Sequence, residues 1–194
     1  MITFRTPKHH WNYFLAIEKD LENVSRYIEF CENNLPTYSI TLTHILLSAS
    51  SEVDVIMKQL CSLVDKTTTT DNIDQYRSVI KKNLMSFIEE EISIERFGLN
   101  FKPWENWSNE INPKWCCSYN KVKHQRNNYF QEANLQNTLN AVGGLLISVI
   151  YYYKYAFSQE AGQEVIFKET TLQLEPESIL MKMNPAYYYD QIVG

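Results

Sequence analysis

The sequence predicts a mainly α protein, an up-and-down helical bundle with a short β-hairpin insertion and a C-terminal β-hairpin extension. Three observations carry that prediction. Apolar residues recur at alternating spacings of three and four through most of the 194 residues, the period of a helix with one face buried. Glycine (5) and proline (6) are too scarce to punctuate a sandwich or barrel of many short strands. An apolar content of 44% suits one well-filled core. Residues 1–158 are assigned to the bundle and 159–194 to the extension, packed on the same domain or on a dimer mate.

The first helix is expected from about His9 to Asn33, where Phe14, Ile17, Leu21, Val24, Ile28 and Cys31 make one stripe. Asn33-Asn34-Leu35-Pro36 ends it. A second stripe follows in Leu42, Leu46, Ala49, Val53, Ile56, Leu60 and Leu63, so the two helices can pair antiparallel. The threonine run Thr67–Thr70 reads as a loop, with Asp71 as cap for a third helix from Asn72 to about Glu91. Short apolar pieces around Gly98, between Ile92 and Trp107, suit a small hairpin. Asn112-Pro113 supplies a cap and a first-turn proline for a shorter helix from Pro113 to about Asn127. A long helix is expected from about Glu132 to Phe157, with Gly143-Gly144 permitting a close crossing. Glu164–Leu174 and Ser178–Met183 alternate around Glu175-Pro176-Glu177 and read as the C-terminal hairpin.

Eighteen basic against 23 acidic residues give a net charge of −5, so the chain as a whole is not built to coat duplex DNA or an anionic membrane. The four cysteines, Cys31, Cys61, Cys116 and Cys117, have no zinc-type spacing and read as reduced thiols. Neither His9-His10 nor His44 adds a metal spacing, and no metal or cofactor is assigned. The amino-terminal residues lack the apolar core of a secretory signal. The run Ala141–Phe157, broken by Gly143-Gly144 and Lys154, reads as a buried helix rather than a membrane span, which makes the cytoplasm the expected location.

One segment stands out against this background. Between Lys114 and Arg126 lie Lys114, Lys121, Lys123 and Arg126 with no acidic residue, a local charge of +4. On a helix, Trp115, Tyr119 and Val122 form the apolar stripe, while Asn120, His124 and Asn127 cluster on the far side. Asn120 and His124, at i and i+4, can converge on one ligand. An imidazole that titrates near neutrality, set among cations that hold phosphate, suits acid or base work on RNA, where the 2′-hydroxyl is the internal nucleophile.

The string Tyr119-Asn120-Lys121-Val122-Lys123-His124 resembles the signature of the HEPN superfamily, in which an arginine precedes a histidine by four to six positions. The stretch from Trp115 to Asn140 is also similar to uncharacterised bacterial proteins having Tyr-Asn-x-x-Lys-His-x-Arg followed by Ala-Asn-Leu-x-Asn. An earlier helix carries Ser51-Glu52-Val53-Asp54 with Lys58, similar to the acidic and polar positions such proteins place near the site. The resemblance implies a HEPN-like bundle that binds RNA or a nucleotide, works as a homodimer, and acts as a metal-independent endoribonuclease in a bacterial defence or stress system with a partner protein such as an antitoxin. Tyr119 stands where the arginine of the family's ribonucleases would.

The candidate catalytic residues are therefore His124, Asn120 and Lys123, and the candidate RNA- or phosphate-binding residues are Lys121, Arg126 and Asn127, with Glu52 as a polar neighbour. Each has a plainer alternative. The lysines and Arg126 can be a solvated face, His124 a surface histidine, Asp54 an ion-pair partner of Lys58, and Trp104, Trp107 and Trp115 caps on the core. The groups Tyr151–Tyr153 and Tyr187–Tyr189 exceed what one buried face uses, which predicts a homodimer through the last long helix or the C-terminal extension. The alternative function is a catalytically inactive helical dimer acting as a protein-interaction module.

Overall fold

A computed structural model describes residues 6–189. Among these, seven α-helices and one two-stranded antiparallel sheet follow in the order α1 (His9–Val24), α2 (Ile40–Val64), α3 (Ile73–Asn83), α4 (Met85–Glu89), β1 (Ile92–Ile94), β2 (Leu99–Phe101), α5 (Lys114–Tyr129), α6 (Leu135–Ala161) and α7 (Phe167–Gln173). The fold is mainly α, as the periodicity predicts. The opening residues 1–5 and residues 190–194 of the expected extension lie outside the described residues.

The two longest helices, α2 and α6, form the most extensively packed pair, and α1, α3 and α5 pack around them. Both long helices start on a side-chain cap: Ser39 Oγ accepts from Leu42 N at 3.1 Å, and Asn134 Oδ1 accepts from Asn137 N at 3.0 Å. Helix α6 is buried on nearly every side from Leu135 to Tyr151. Among the described residues, α2 is the helix long and apolar enough to cross a membrane; half of that window is buried inside the bundle, the usual situation of a core helix. The apolar run in α6 does not meet the same measure.

The glycine pair of α6 permits a close approach of helix α5, as expected, and of the β-hairpin as well. A Cβ at Gly143 would sit 2.8 Å from Phe101 Cε2 and 3.1 Å from Ile92, and one at Gly144 would sit 3.1 Å from the Trp115 ring. The pair lets the β-hairpin and the start of α5 lie directly on the α6 backbone. The hairpin itself occurs where expected, with Ile92 opposite Phe101 and Ile94 opposite Leu99, and Gly98 at φ 62° making the turn. Trp104 and Trp107 are fully buried beside it, with Trp104 donating to Gly144 O and Trp115 donating to Pro103 O.

Several boundaries differ from expectation, each for a visible reason. Helix α1 stops at Val24 rather than Asn33, because Ser25 Oγ bonds Glu22 O and the chain then turns to bury Phe30 against Phe97, ring centroids 4.8 Å apart. The third helix is capped by Asn72, not Asp71, and breaks at Leu84 (φ −137°, ψ 56°) into α3 and α4. The predicted C-terminal hairpin is absent among the described residues. Its first arm is α7, whose inward residues Phe167, Thr170, Thr171 and Leu174 follow helical spacing under the superficial alternation. Its second arm contributes a single bridge, Lys182 to Ser93, at the edge of the other hairpin.

Residues 174–189 wrap back onto their own bundle through two buried carboxylates. Glu18 of α1 is 1% exposed and accepts from Ile179, Leu180 and Met181 N at 3.0–3.1 Å and from Ser178 Oγ. Glu90 Oε1 accepts from both Tyr151 and Tyr187 hydroxyls at 2.7 Å. Trp11 Nε1 adds a bond to Pro176 O at 3.0 Å. The tyrosine groups that prompted an interface are thus largely absorbed within the chain: Tyr151 is fully buried, Tyr153 nearly so, and Tyr188 accepts from Met183 N.

Candidate functional site

Helix α5 starts without a side-chain cap. Pro113 occupies the cap position, and Asn112, the expected cap, instead accepts from Arg77 at 2.7 Å and donates to Asp74 at 3.1 Å. The inward stripe is Trp115, Ser118 and Val122, with Tyr119 turned out to a half-buried position. The exchange follows from Ser118, whose hydroxyl donates to Glu132 Oε2 at 2.7 Å and accepts from Asn137 Nδ2 at 3.0 Å. At Gln125 the helix is interrupted by non-helical backbone (φ −141°, ψ 49°). That break divides the candidate residues into two groups.

All six α5 candidates, Asn120, Lys121, Lys123, His124, Arg126 and Asn127, are exposed. Antiparallel packing of α5 along α2 leaves a cleft on each side of the break. The first, of about 200 Å³, has Ser50 and Asp54 of α2 on one wall, Tyr76 of α3 behind, and Tyr119, Asn120 and Lys123 of α5 on the other wall. The second, of about 410 Å³, is framed by Ile40, Thr43 and His44 of α2 and by Arg126, Asn127 and Phe130. His124 lines neither cleft and faces solvent between them.

The structure also sorts the cations. Lys121 is paired with Glu132 at 3.1 Å and lies over the Tyr129 ring. The Ser118 hydrogen bond, reinforced by Lys121, holds the Glu132 carboxyl below the usual glutamate range, and Glu132 in turn raises Lys121. Lys123 donates to the Tyr119 hydroxyl at 3.2 Å and covers its ring, with no acidic partner among the described residues. His124, Arg126, Asn120 and Asn127 have no side-chain hydrogen bond or ion pair among the described residues. Cys116, on the floor of the first cleft, is pushed up to about 12 by burial and by the neighbouring Cys117, so it is a protonated thiol rather than a nucleophile at neutral pH.

Glu52 does not join this face. It turns to the other side of α2 and accepts from His10 Nδ1 at 2.6 Å, while His10 Nε2 lies 3.2 Å from Gln59 Nε2 and the imidazole stands edge-on to Tyr152. This geometry fits a tautomer protonated on Nδ1. His10 of this pair borders a third cleft of about 550 Å³ with Lys8, Gln59, Tyr152 and Tyr153. Nothing in the sequence announces the pair, since 42 residues separate its members. Asp54, read as a partner of Lys58, does make that contact at 3.6 Å, but it also accepts from the Tyr76 hydroxyl at 2.8 Å and so belongs to the first cleft.

Among the described residues no group of three or more His, Cys, Asp or Glu is placed to hold a metal ion. What the seam offers is a set of hydrogen-bond donors and acceptors, two uncompensated cations and one imidazole, set beside aromatic side chains. Such a set can neutralise phosphates, read polar edges and exchange a proton. No family model, no curated protein and no solved structure matches this chain.

Proposed function

We propose that this protein is a cytoplasmic, HEPN-like RNA- or nucleotide-binding helical bundle whose contact face is the seam between α2 and α5. One observation carries the reading: in a chain of net charge −5, Lys123, His124, Arg126, Asn120 and Asn127 stand exposed along one helix with no acidic side chain bound to them. Several cations elsewhere are matched, as Arg77 is by Asp74 and Glu110, while Arg26, Lys66 and Arg96 are isolated exposed cations without an ion pair among the described residues. Polar groups left unsatisfied at a surface that adjoins two clefts are disposed toward a ligand, and the sign of the charge selects phosphate. Ribonuclease chemistry is the catalytic arm of the same proposal, with His124 exchanging the proton of the 2′-hydroxyl or the leaving oxygen and Lys123 and Asn120 beside it.

The test is binding of a fluorescent single-stranded RNA by the purified protein at two salt concentrations, with cleavage followed in the same samples. The expected result is salt-sensitive binding that Lys123→Glu with Arg126→Glu removes, and loss of any cleavage in His124→Ala with binding kept within about twofold. Salt-insensitive binding, or none at low salt, overturns the reading.

The alternative, a catalytically inactive helical dimer acting as a protein-interaction module, draws on a different observation. Ile40 is 67% and Tyr38 50% exposed at the lip of the second cleft, where Tyr38 stands edge-on to Phe130. An apolar lip of this kind suits a second copy of the chain or a partner protein such as an antitoxin. Sedimentation of wild type against Ile40→Lys tests it: a dimer that the substitution splits supports the module, and a monomer at high concentration counts against the homodimer.

A further inference from the structure

The first cleft contains a polar group that the fold does not use. Ser50 is 4% exposed, its hydroxyl has no hydrogen-bond partner among the described residues, and it lies on the cleft wall one helical turn from Asp54. A buried hydroxyl left without a partner is a net cost to the fold. Beside it, the Asp54 carboxylate has one oxygen engaged by Tyr76, which burial and the carboxylate keep protonated as a donor. The other Asp54 oxygen lies 3.6 Å from the half-exposed Lys58, and since a carboxylate has about four acceptor positions, each oxygen keeps room for a further donor. Across the cleft, Asn120 brings an amide free to donate and accept, and Lys123 brings its charge to the rim. Three aromatic residues, Trp115, Tyr76 and Tyr119, are among those that line it.

We infer that this cleft is a guanine pocket, with the Asp54 carboxylate receiving the two adjacent N–H groups of the base, Ser50 and Asn120 meeting its O6 edge, and Lys123 holding the attached phosphate. The inference rests on the proposed RNA or nucleotide reading and names the base. Among the four bases only guanine presents two neighbouring N–H donors, ring and exocyclic, to a two-oxygen acceptor. Adenine sets an acceptor beside its amino group, which would face the carboxylate lone pair to lone pair. Cytosine has the same pairing, and uracil flanks its one ring N–H with carbonyls. A volume of about 200 Å³ is of the order of one base and too small for a folded partner.

The source is either guanine within RNA or a free guanine nucleotide, and one experiment separates them. The whole protein is titrated against a labelled oligouridine and its versions with a single central G, A or C, and each complex is competed with GMP or AMP. Expected is about tenfold tighter binding of the G oligomer, the discrimination typical of a bidentate base contact. Asp54→Asn keeps an oxygen for Tyr76 and should bring the G preference, read as the ratio of G-oligomer to oligouridine affinity in the same variant, to within twofold. Ser50→Ala should reduce the preference by about threefold. Equal affinity for all four oligomers, or a G preference that survives Asp54→Asn, overturns the pocket and leaves the phosphate face standing. If no oligomer binds, the α5 reading fails, and the nucleotide arm decides alone: GMP binding lost in Asp54→Asn supports a free-nucleotide pocket, and absence of GMP binding overturns it.

Discussion

Glu18 and Asp54 are both carboxylates on core helices, and the molecule treats them in opposite ways. Glu18 is sealed from solvent and has three backbone N–H groups and a hydroxyl on its two oxygens, so it has nothing left to offer. Asp54 is half exposed, takes one phenol and the loose ion pair with Lys58, and faces an orphaned serine, an open amide and the uncompensated Lys123. The same contrast holds between the regions around them. The wrap of residues 174–189 has its buried polar side chains matched within the chain, and the α2–α5 seam, with Ser50, does not. Satisfaction marks a structural joint, and its absence on a concave surface marks a place for something else.

The largest expected effect breaks the satisfied side. Glu18→Ala strands buried backbone donors and should lower unfolding free energy by about 3–5 kcal/mol, read from urea denaturation. A loss under 1 kcal/mol would mean that the wrap is held by Trp11 and Glu90 instead. On the other side, Lys123→Glu with Arg126→Glu should weaken RNA binding by about a hundredfold and flatten the salt slope by about 2, with stability changed by no more than about 0.5 kcal/mol. A large stability change there would place both cations in the structural class and erase the contrast.

Two smaller effects sharpen it. Gly143→Ala drives a methyl toward Phe101, a cost of about 1–3 kcal/mol offset by about 1 kcal/mol of helix propensity. A net loss near 1 kcal/mol should lower Tm by about 2–4 °C. Glu132 lies on the border between the two regions. Its folded carboxyl is held low by Ser118 and then Lys121, so its contribution is present above the ordinary glutamate value of about 4.3 and is lost as pH falls through the lower folded value. Stability curves of wild type and Glu132→Gln should therefore converge as pH falls below that range, and parallel curves would show that Glu132 acts by packing alone.

Much of the bundle was legible from periodicity, because core helices repeat their apolar residues whatever they pack against. The stripes of α2 and α6 and the Gly98 hairpin follow from local pattern. What local pattern misleads about is the segment whose shape is set from a distance. Phe167, Thr170, Thr171 and Leu174 hold a helical face, yet the intervening residues also alternate, and the bundle's open flank settles which pattern forms. The site was legible as a charged helix and illegible as a set of clefts. Asn120 and Lys123 part from Arg126 and Asn127 only because the backbone breaks at Gln125. Glu52 and Asp54, two residues apart, project to different sides of α2, and the sequence-level choice of Glu52 picked the one that faces His10.

The Glu18 joint has a consequence for the order in which the chain is made. Its partners at 178–181 leave the ribosome some 160 residues after it does, an interval on the order of ten seconds at ordinary rates of synthesis. Throughout that time α1 carries a carboxylate bound for the interior with no donors to receive it. The nascent helix is kept soluble by the same charge that the finished protein hides. Closure of this joint therefore waits on residues 178–181, and a chain arrested before residue 178 would present α1 with its acid side chain still hydrated and its apolar stripe only partly covered.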